Sequence, residues 1–225
     1  MKPQSKNGIR LPQLPKHLPM GELSHLEDFG QYMETIIAGA DFSTQEGKNI
    51  QFEQTHLRQV VFQQSRLTNF SLMDSVIERS DLSGARWEKG RFRRVEMTGC
   101  RLLGSSLMEG VFEDVYFKDC NAESANFITS TFKNVRFENC NLRGVSFEGA
   151  DLTGVVFFRC DLSRSIFLNS IMKLTDLRSS VIDDMSVGIN ELRVAIFSPS
   201  QAVQVAGLLG ITIKDWEEED YQSGR

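Results

Sequence analysis

The chain has 225 residues, of which 40% are hydrophobic and 24% charged, with a formal net charge of −5 at pH 7. It holds no apolar run of about 18 residues, which excludes a membrane-spanning helix, and Met1-Lys2-Pro3-Gln4-Ser5-Lys6 lacks the apolar core of a signal peptide. The length allows one or two ordinary domains, and a cytoplasmic location is expected.

The chain opens on a basic segment with Lys2, Lys6, Arg10 and Lys16. Leu11 to Pro19 carries three prolines and reads as an extended lead-in, or as a Pro-rich ligand for a partner. Gly21 to Ile37 then places Leu23, Leu26, Phe29, Tyr32, Met33 and Ile36 at spacings that suit a short amphipathic helix or an irregular first coil. The irregular coil is preferred, so residues 1–36 are read as lead-in and N-terminal cap.

From Phe42 to Phe197 every fifth residue is large and apolar. Of 32 such positions, 30 hold Phe, Leu, Ile, Met, Val or Trp, and the other two are Gly47 and Ala122. Composition alone would place about 13 hydrophobic residues there, so the period is real and decides the architecture. Two residues before each centre the chain is small: from Thr55 to Ser180, 25 of 26 positions hold Ala, Gly, Ser, Thr, Cys or Val, with Phe70 the exception. Good copies are Ala40-Asp41-Phe42, Ser80-Asp81-Leu82, Ala125-Asn126-Phe127, Ala150-Asp151-Leu152 and Cys160-Asp161-Leu162.

A period of five suits neither a helix nor a strand as a continuous element. It suits a chain that turns a corner every five residues, with the centre and the small residue pointing inward. The pattern resembles the pentapeptide-repeat family over about 160 of the 225 residues. That resemblance implies an all-β fold, a right-handed quadrilateral β-helix with four repeats per square coil. The spacing of Cys100, Cys120, Cys140 and Cys160 supports a 20-residue coil independently. Residues 37–198 then form about eight coils at a strand spacing of about 4.8 Å. Phe117, Phe137 and Phe157 should stack, as should Phe127, Phe147 and Phe167, and Phe92, Phe112 and Phe132. Gly84, Gly104, Gly144, Gly149 and Gly154 fall at corners that favour positive φ. Side chains fill the interior and leave no room for a ligand.

The register stops after Phe197. Ser198 and Pro199 supply an N-cap and a first helical residue, and Ala202, Val205, Ala206 and Leu209 recur at helical spacing before Gly210. Residues 199–213 are read as a C-terminal helix and short strand, and 214–225 as an acidic tail. The resemblance implies a C-terminal cap, which in quinolone-resistance members mediates a tail-to-tail dimer. A homodimer through this helix is therefore expected. Val205, Leu208 and Leu209, with Phe158, Ile166, Leu168 and Ile171 on the last coils, are the candidate dimer or cap contacts.

Catalytic residues are not found. Of His17, His25 and His56 none is near a Cys or Ser in a triad-like setting, and there is no phosphate loop or metal-spaced cluster, so neither cofactor nor metal is expected. Asp41, Asp81, Asp151, Asp161 and Asp176 precede centres, where a carboxylate bonds the turn backbone. Stacked cysteines have parallel Cβ vectors that suit neither a disulfide nor zinc, so they serve as small buried residues.

Arg86, Lys89, Arg91, Arg93 and Arg94 form a basic run, but a 20-residue step places Glu113 beside Arg93, Asp114 beside Arg94, Lys133 after Glu113, and Lys118 before Glu138. Alternating signs predict an ion-pair ladder rather than direct nucleic-acid binding. Met108, Ile128 and Leu168 share one outward column, interrupted by Glu148, and Met108 and Ile128 are the candidate partner surface. The expected function is a non-catalytic protein-interaction or scaffold module. The resemblance offers an alternative, a DNA mimic that binds DNA gyrase or topoisomerase IV and modulates quinolone or toxin sensitivity. No loop interrupts the register in the way that some such members require.

Overall fold

The computed structural model describes residues 5, 6 and 8–214. From Gln31 onward every parallel pairing joins a residue to the one twenty later, as in Gln31↔Gln51, Ser71↔Arg91, Arg91↔Val111 and Val111↔Thr131. The longest strands, Ser71–Glu78, Arg91–Thr98, Val111–Lys118 and Thr131–Glu138, stack in that order. One column of bridges runs Asp41, Val61, Asp81, Arg101, Asn121, Asn141, Asp161 and Val181. Its eight levels enclose seven turns, so the expected eight coils are eight levels of a seven-turn solenoid.

The chain turns at every fifth residue. Between Phe29 and Asp184, 31 of the 32 positions two residues after a centre are left-handed, with φ between 48° and 71°. Seven are glycine, including the five expected, and 24 are not. Nine of those 24 are Asn or Asp, the side chains that tolerate this region best. The aspartates before the centres brace the same corners: Asp41, Asp81, Asp151, Asp161 and Asp176 each accept the amide N–H two residues on, at 2.8–3.1 Å.

Inside, the predicted ladders form. Phe92, Phe112 and Phe132 stack at 4.7 and 4.8 Å, Phe117, Phe137 and Phe157 at 4.6 and 5.2 Å, and Phe127, Phe147 and Phe167 at 5.4 and 5.2 Å. Adjacent ladders meet edge to face, as at Phe127 and Phe132, so both favoured aromatic geometries occur in one core. Gly47 breaks the run of large centres because Ile50 fills its place: a Cβ on Gly47 would lie 2.5 Å from Ile50 Cδ1. Trp87 donates its indole N–H to Ser65 Oγ at 3.0 Å, which satisfies the one polar atom of that side chain.

All four cysteines are free and buried. The Cys120 thiol approaches Met97 O at 3.4 Å and Lys118 O at 3.3 Å, and the others use carbonyls in the same relation. Its neighbours Cys100 and Cys140, together with burial, push the Cys120 thiol pKa up. It is a small core residue that stays protonated.

The N-terminal cap is an irregular coil. Met20–Gly21 pairs in parallel with Ile36 and Ile37, a step of sixteen, and Tyr32 stacks on Phe52 at 4.9 Å. At the other end Ser198 and Gln201 form a capping box before the helix Ala202–Leu208. The Gln201 amide donates to Leu177 O, which also accepts the Ser180 N–H, and to Ser180 O, both at 2.8 Å, and so ties the cap to the last coil. Two details differ from expectation. Ile189–Leu192 is a helical turn within the register, which still buries Leu192. Ile211–Ile213 forms no strand, and the Ile211 amide instead bonds Ala206 O at the helix end at 2.9 Å. Beyond Lys214 the acidic tail lies outside the described residues.

Phe137 contacts rings above, below and beside it. Phe137→Ala should therefore destabilise the rod by about 3–5 kcal/mol in urea melts, while Phe137→Asp should prevent folding by circular dichroism. The corners test separately. Gln59 is exposed at φ 54°, and Gln59→Gly should raise stability by about 0.5–1 kcal/mol, whereas Gly104→Val at φ 60° should lower it by at least ~1 kcal/mol.

Candidate interaction surfaces

Glu113 is the hub of the charged flank. It lies 3.8 Å from Arg93 Nε and 3.1 Å from Lys133 Nζ, its register partners below and above. Arg10, from the N-terminal segment, reaches it at 3.4 Å. The ladder thus forms at this column, with a cation that spacing alone did not supply.

One corner over, the expectation fails. Arg94 does not pair with Asp114 but turns back to Asp74, with Nε 2.6 Å from Oδ1. Asp114, whose side chain is 1% exposed, instead accepts from Arg10 Nε at 2.7 Å, the Arg10 amide at 3.3 Å and the Asn134 amide. Burial opposes the charged form of Asp114, but these hydrogen bonds outweigh it and hold the carboxyl below its usual range. A second pairing also differs. Lys118 and Glu138 are register partners, yet Lys118 goes to Asp119 at 3.8 Å and Glu138 to Arg136 at 3.0 Å. Each charge takes the nearer neighbour on its own coil.

Residues 8–13 lie along this corner. Asn134 donates to Gly8 O at 3.1 Å, Gln13 donates its amide N–H to Asp74 at 3.0 Å, and Gln54 donates to Gln13 O at 3.1 Å. Ile9 is buried, and Ser5–Lys6 pairs with Ile9–Arg10 in an antiparallel hairpin. Sequence reasoning missed this contact. The available signal was a basic N-terminus opposite a corner column with two acids and one arginine.

The apolar surface lies on the last coils. Leu168 is 41%, Ile171 55% and Leu174 59% exposed, and Ile189 and Val194 are exposed near them. Ile171, Met172, Asn190, Glu191 and Val194 line a shallow groove of about 310 Å³. The other candidates divide. Val205 and Leu208 pack against the rod's own core, whereas Leu209 is exposed. Phe158 is flanked by two guanidinium groups, Arg136 at 4.6 Å and Arg159 at 5.0 Å from its ring centre. Ile166, Met108 and Ile128 are half-buried. No cluster of three metal-binding side chains occurs among the described residues, and His56 pairs with Glu78 at 3.2 Å.

Residues 90–167 match a family model described as a pentapeptide repeat region. Five-residue faces and twenty-residue coils continue on either side of that stretch. Residues 90–167 are a pentapeptide repeat region. No curated protein matches this chain by sequence. Among solved structures it is similar to HetL of the cyanobacterium Nostoc sp. strain PCC 7120, a protein involved in heterocyst differentiation regulation, at 15% identity over 76% of this chain and 90% of that one, with a TM-score of 0.37. It is also similar to full-length QnrB1, a plasmid-mediated fluoroquinolone resistance protein, at 15% identity over 81% of this chain and 100% of that one, with a TM-score of 0.36. A thylakoid-lumen protein of Arabidopsis thaliana shows 22% identity over 53% of this chain and 67% of that one, with a TM-score of 0.21.

Bracing carboxylates make stability depend on pH. Hydrogen bonds from Ser43 lower the Asp41 pKa, and those from Arg178 lower that of Asp176, which outweighs burial there. At Asp81 and Asp161 burial acts the other way, and bonds from Ser83 and Ser163 overcome it. A depressed folded pKa means the unfolded chain binds protons first. The melting temperature should stay level from pH 7 to about 5 and fall as the pH drops below about 4, near the unfolded Asp value. A maximum below pH 4 would contradict the bracing role.

Proposed function

We propose that this protein is a non-catalytic protein-interaction module, and that the exposed apolar row of Leu168, Ile171 and Leu174 is a contact surface. The observation that carries this reading is the location of the row. The core is closed by stacked side chains, the predicted outward positions elsewhere are mostly polar, and the exposed branched residues concentrate at one end of the rod. A convex rod of this kind binds through its sides and ends, since among the described residues no deep cleft excludes water for chemistry.

A DNA mimic that binds DNA gyrase or topoisomerase IV would need a continuous anionic face, because duplex DNA carries a charge every ~1.7 Å. Here Glu46 pairs with Arg66, Asp74 with Arg94, Asp114 with Arg10, Glu138 with Arg136 and Asp161 with Arg143. Paired carboxylates support the first reading. In a supercoiling assay with and without a quinolone, purified protein at micromolar concentration should neither inhibit gyrase nor rescue it.

The surface itself is tested by Ile171→Asp with Leu174→Asp. Both side chains are exposed, so the melting curve should change little. Proteins that copurify with the wild type should be depleted at least tenfold with the variant. Equal recovery would remove the apolar row from the interface. Leu209→Asp addresses self-association through the terminal helix: a homodimer built there should become monomeric in sedimentation, with circular dichroism retained.

A further inference from the structure

The N-terminal segment is bound to the rod in the manner of a peptide ligand. Four side chains on one corner column read its backbone. Asn134 donates to the carbonyl of residue 8, Asp114 accepts the amide of residue 10, Asp74 accepts the amide of residue 13, and Gln54 donates to the carbonyl of residue 13. Donors therefore meet carbonyls and carboxylates meet amides at four of five successive coils, the Arg94 level between them bonding Asp74 instead. Residue 11 faces no such group, and residue 12 is proline, which has no N–H to satisfy. One side chain is read as well. The Arg10 guanidinium meets the buried Asp114 carboxylate and reaches Glu113. The carboxylate is buried while the guanidinium is 45% exposed, and a charge-assisted arginine–carboxylate pair of this kind adds geometric specificity as well as strength.

We propose that the corner column of Gln54, Asp74, Asp114 and Asn134 is a binding rail for an extended, arginine-bearing segment of a partner protein, and that residues 8–13 occupy it as an intramolecular latch. The segment needs an arginine with a free amide and a second free amide three residues later. A second copy of this chain is a poor occupant. Its arm is identical to the tethered one, and a short tether holds the latter at an effective concentration of about 1 mM. Displacement thus requires a contact the latch lacks. The column provides one: beyond Asn134 it continues through Gly154 to Leu174, which is 59% exposed. A partner segment whose N-terminal side runs past the place of Gly8 would meet that leucine. Peptide binding to an opened rail uses none of the apolar row, and only displacement of the latch draws on Leu174, so the two readings fail separately.

The test opens the latch without touching the rail. Full-length protein carrying Arg10→Ala and Gln13→Pro loses the guanidinium and one donated amide. A fluorescein-labelled peptide copying residues 8–14 should bind this variant by anisotropy at least tenfold more tightly than it binds wild type. Adding Asp114→Asn should abolish binding, as should replacing the peptide's arginine with alanine. Wild-type Arg10, held in the docked arm, should resist trypsin, and Gln13→Pro alone should expose it. No binding to an opened variant that melts like a folded rod would overturn the proposal, as would binding indifferent to Asp114→Asn. A wild-type dimer that grows with concentration and is lost on Arg10→Ala would overturn the choice of partner and assign the rail to a second copy. Loss of contact by Ile171→Asp with unchanged peptide binding bears on the apolar end only.

Discussion

Every feature of this rod descends from one constraint: the backbone bonds of each coil are made to the coils twenty residues away. Asp81, Asn121 and Asp161 lie on one column, and their amides and carbonyls are satisfied by the level below. A coil of nineteen or twenty-one residues would leave its successor out of step, and each later side chain would face the wrong way. Loops are therefore excluded from the register except at its ends. The irregular sixteen-residue step at Met20 and the helical turn at Ile189–Leu192 sit where one neighbouring coil is incomplete.

Equal coils force equal corners, and the corners carry strain. A left-handed conformation costs an ordinary L-residue roughly 1–2 kcal/mol, so the fifteen corners that are neither Gly, Asn nor Asp form a large unfavourable sum. The core offsets it because corner geometry is what brings a centre and a small residue inward together. Stacking phenylalanines at 4.6–5.4 Å gains both burial and ring contact. The aspartate before the centre completes the arrangement by holding the amide that precedes the left-handed residue.

This division explains what the sequence disclosed. Centres, small residues, aromatic ladders, bracing aspartates and the Ser198–Gln201 cap are set by local spacing, and a period of five makes spacing visible. Gly47 looked like a defect because its compensation, Ile50, lies in the other column. Arg94 had acids one coil away on both sides, and spacing cannot rank Asp74 above Asp114. The choice was made by Arg10, 104 residues from Asp114 and outside any repeat. Long-range docking of a nonperiodic segment leaves no periodic trace. The apolar end was legible in part, since Leu168 and Ile171 stood out as misplaced, but Leu174 looked like an ordinary corner.

Placing these surfaces on the coil joins them. Positions 54, 74, 94, 114, 134, 154 and 174 form one corner, so the arm-bearing rail and the most exposed leucine of the apolar end share an edge of the rod. The polar part is covered by the chain itself, with its buried carboxylate neutralised, while the apolar part is left open. An uncovered Asp114 would keep the Asn134 amide but exchange its Arg10 bonds for water, giving up a charge-assisted pair. An uncovered leucine costs far less. The arm therefore protects the stretch that most needs protection, and recognition is free to begin at the other end of the same edge.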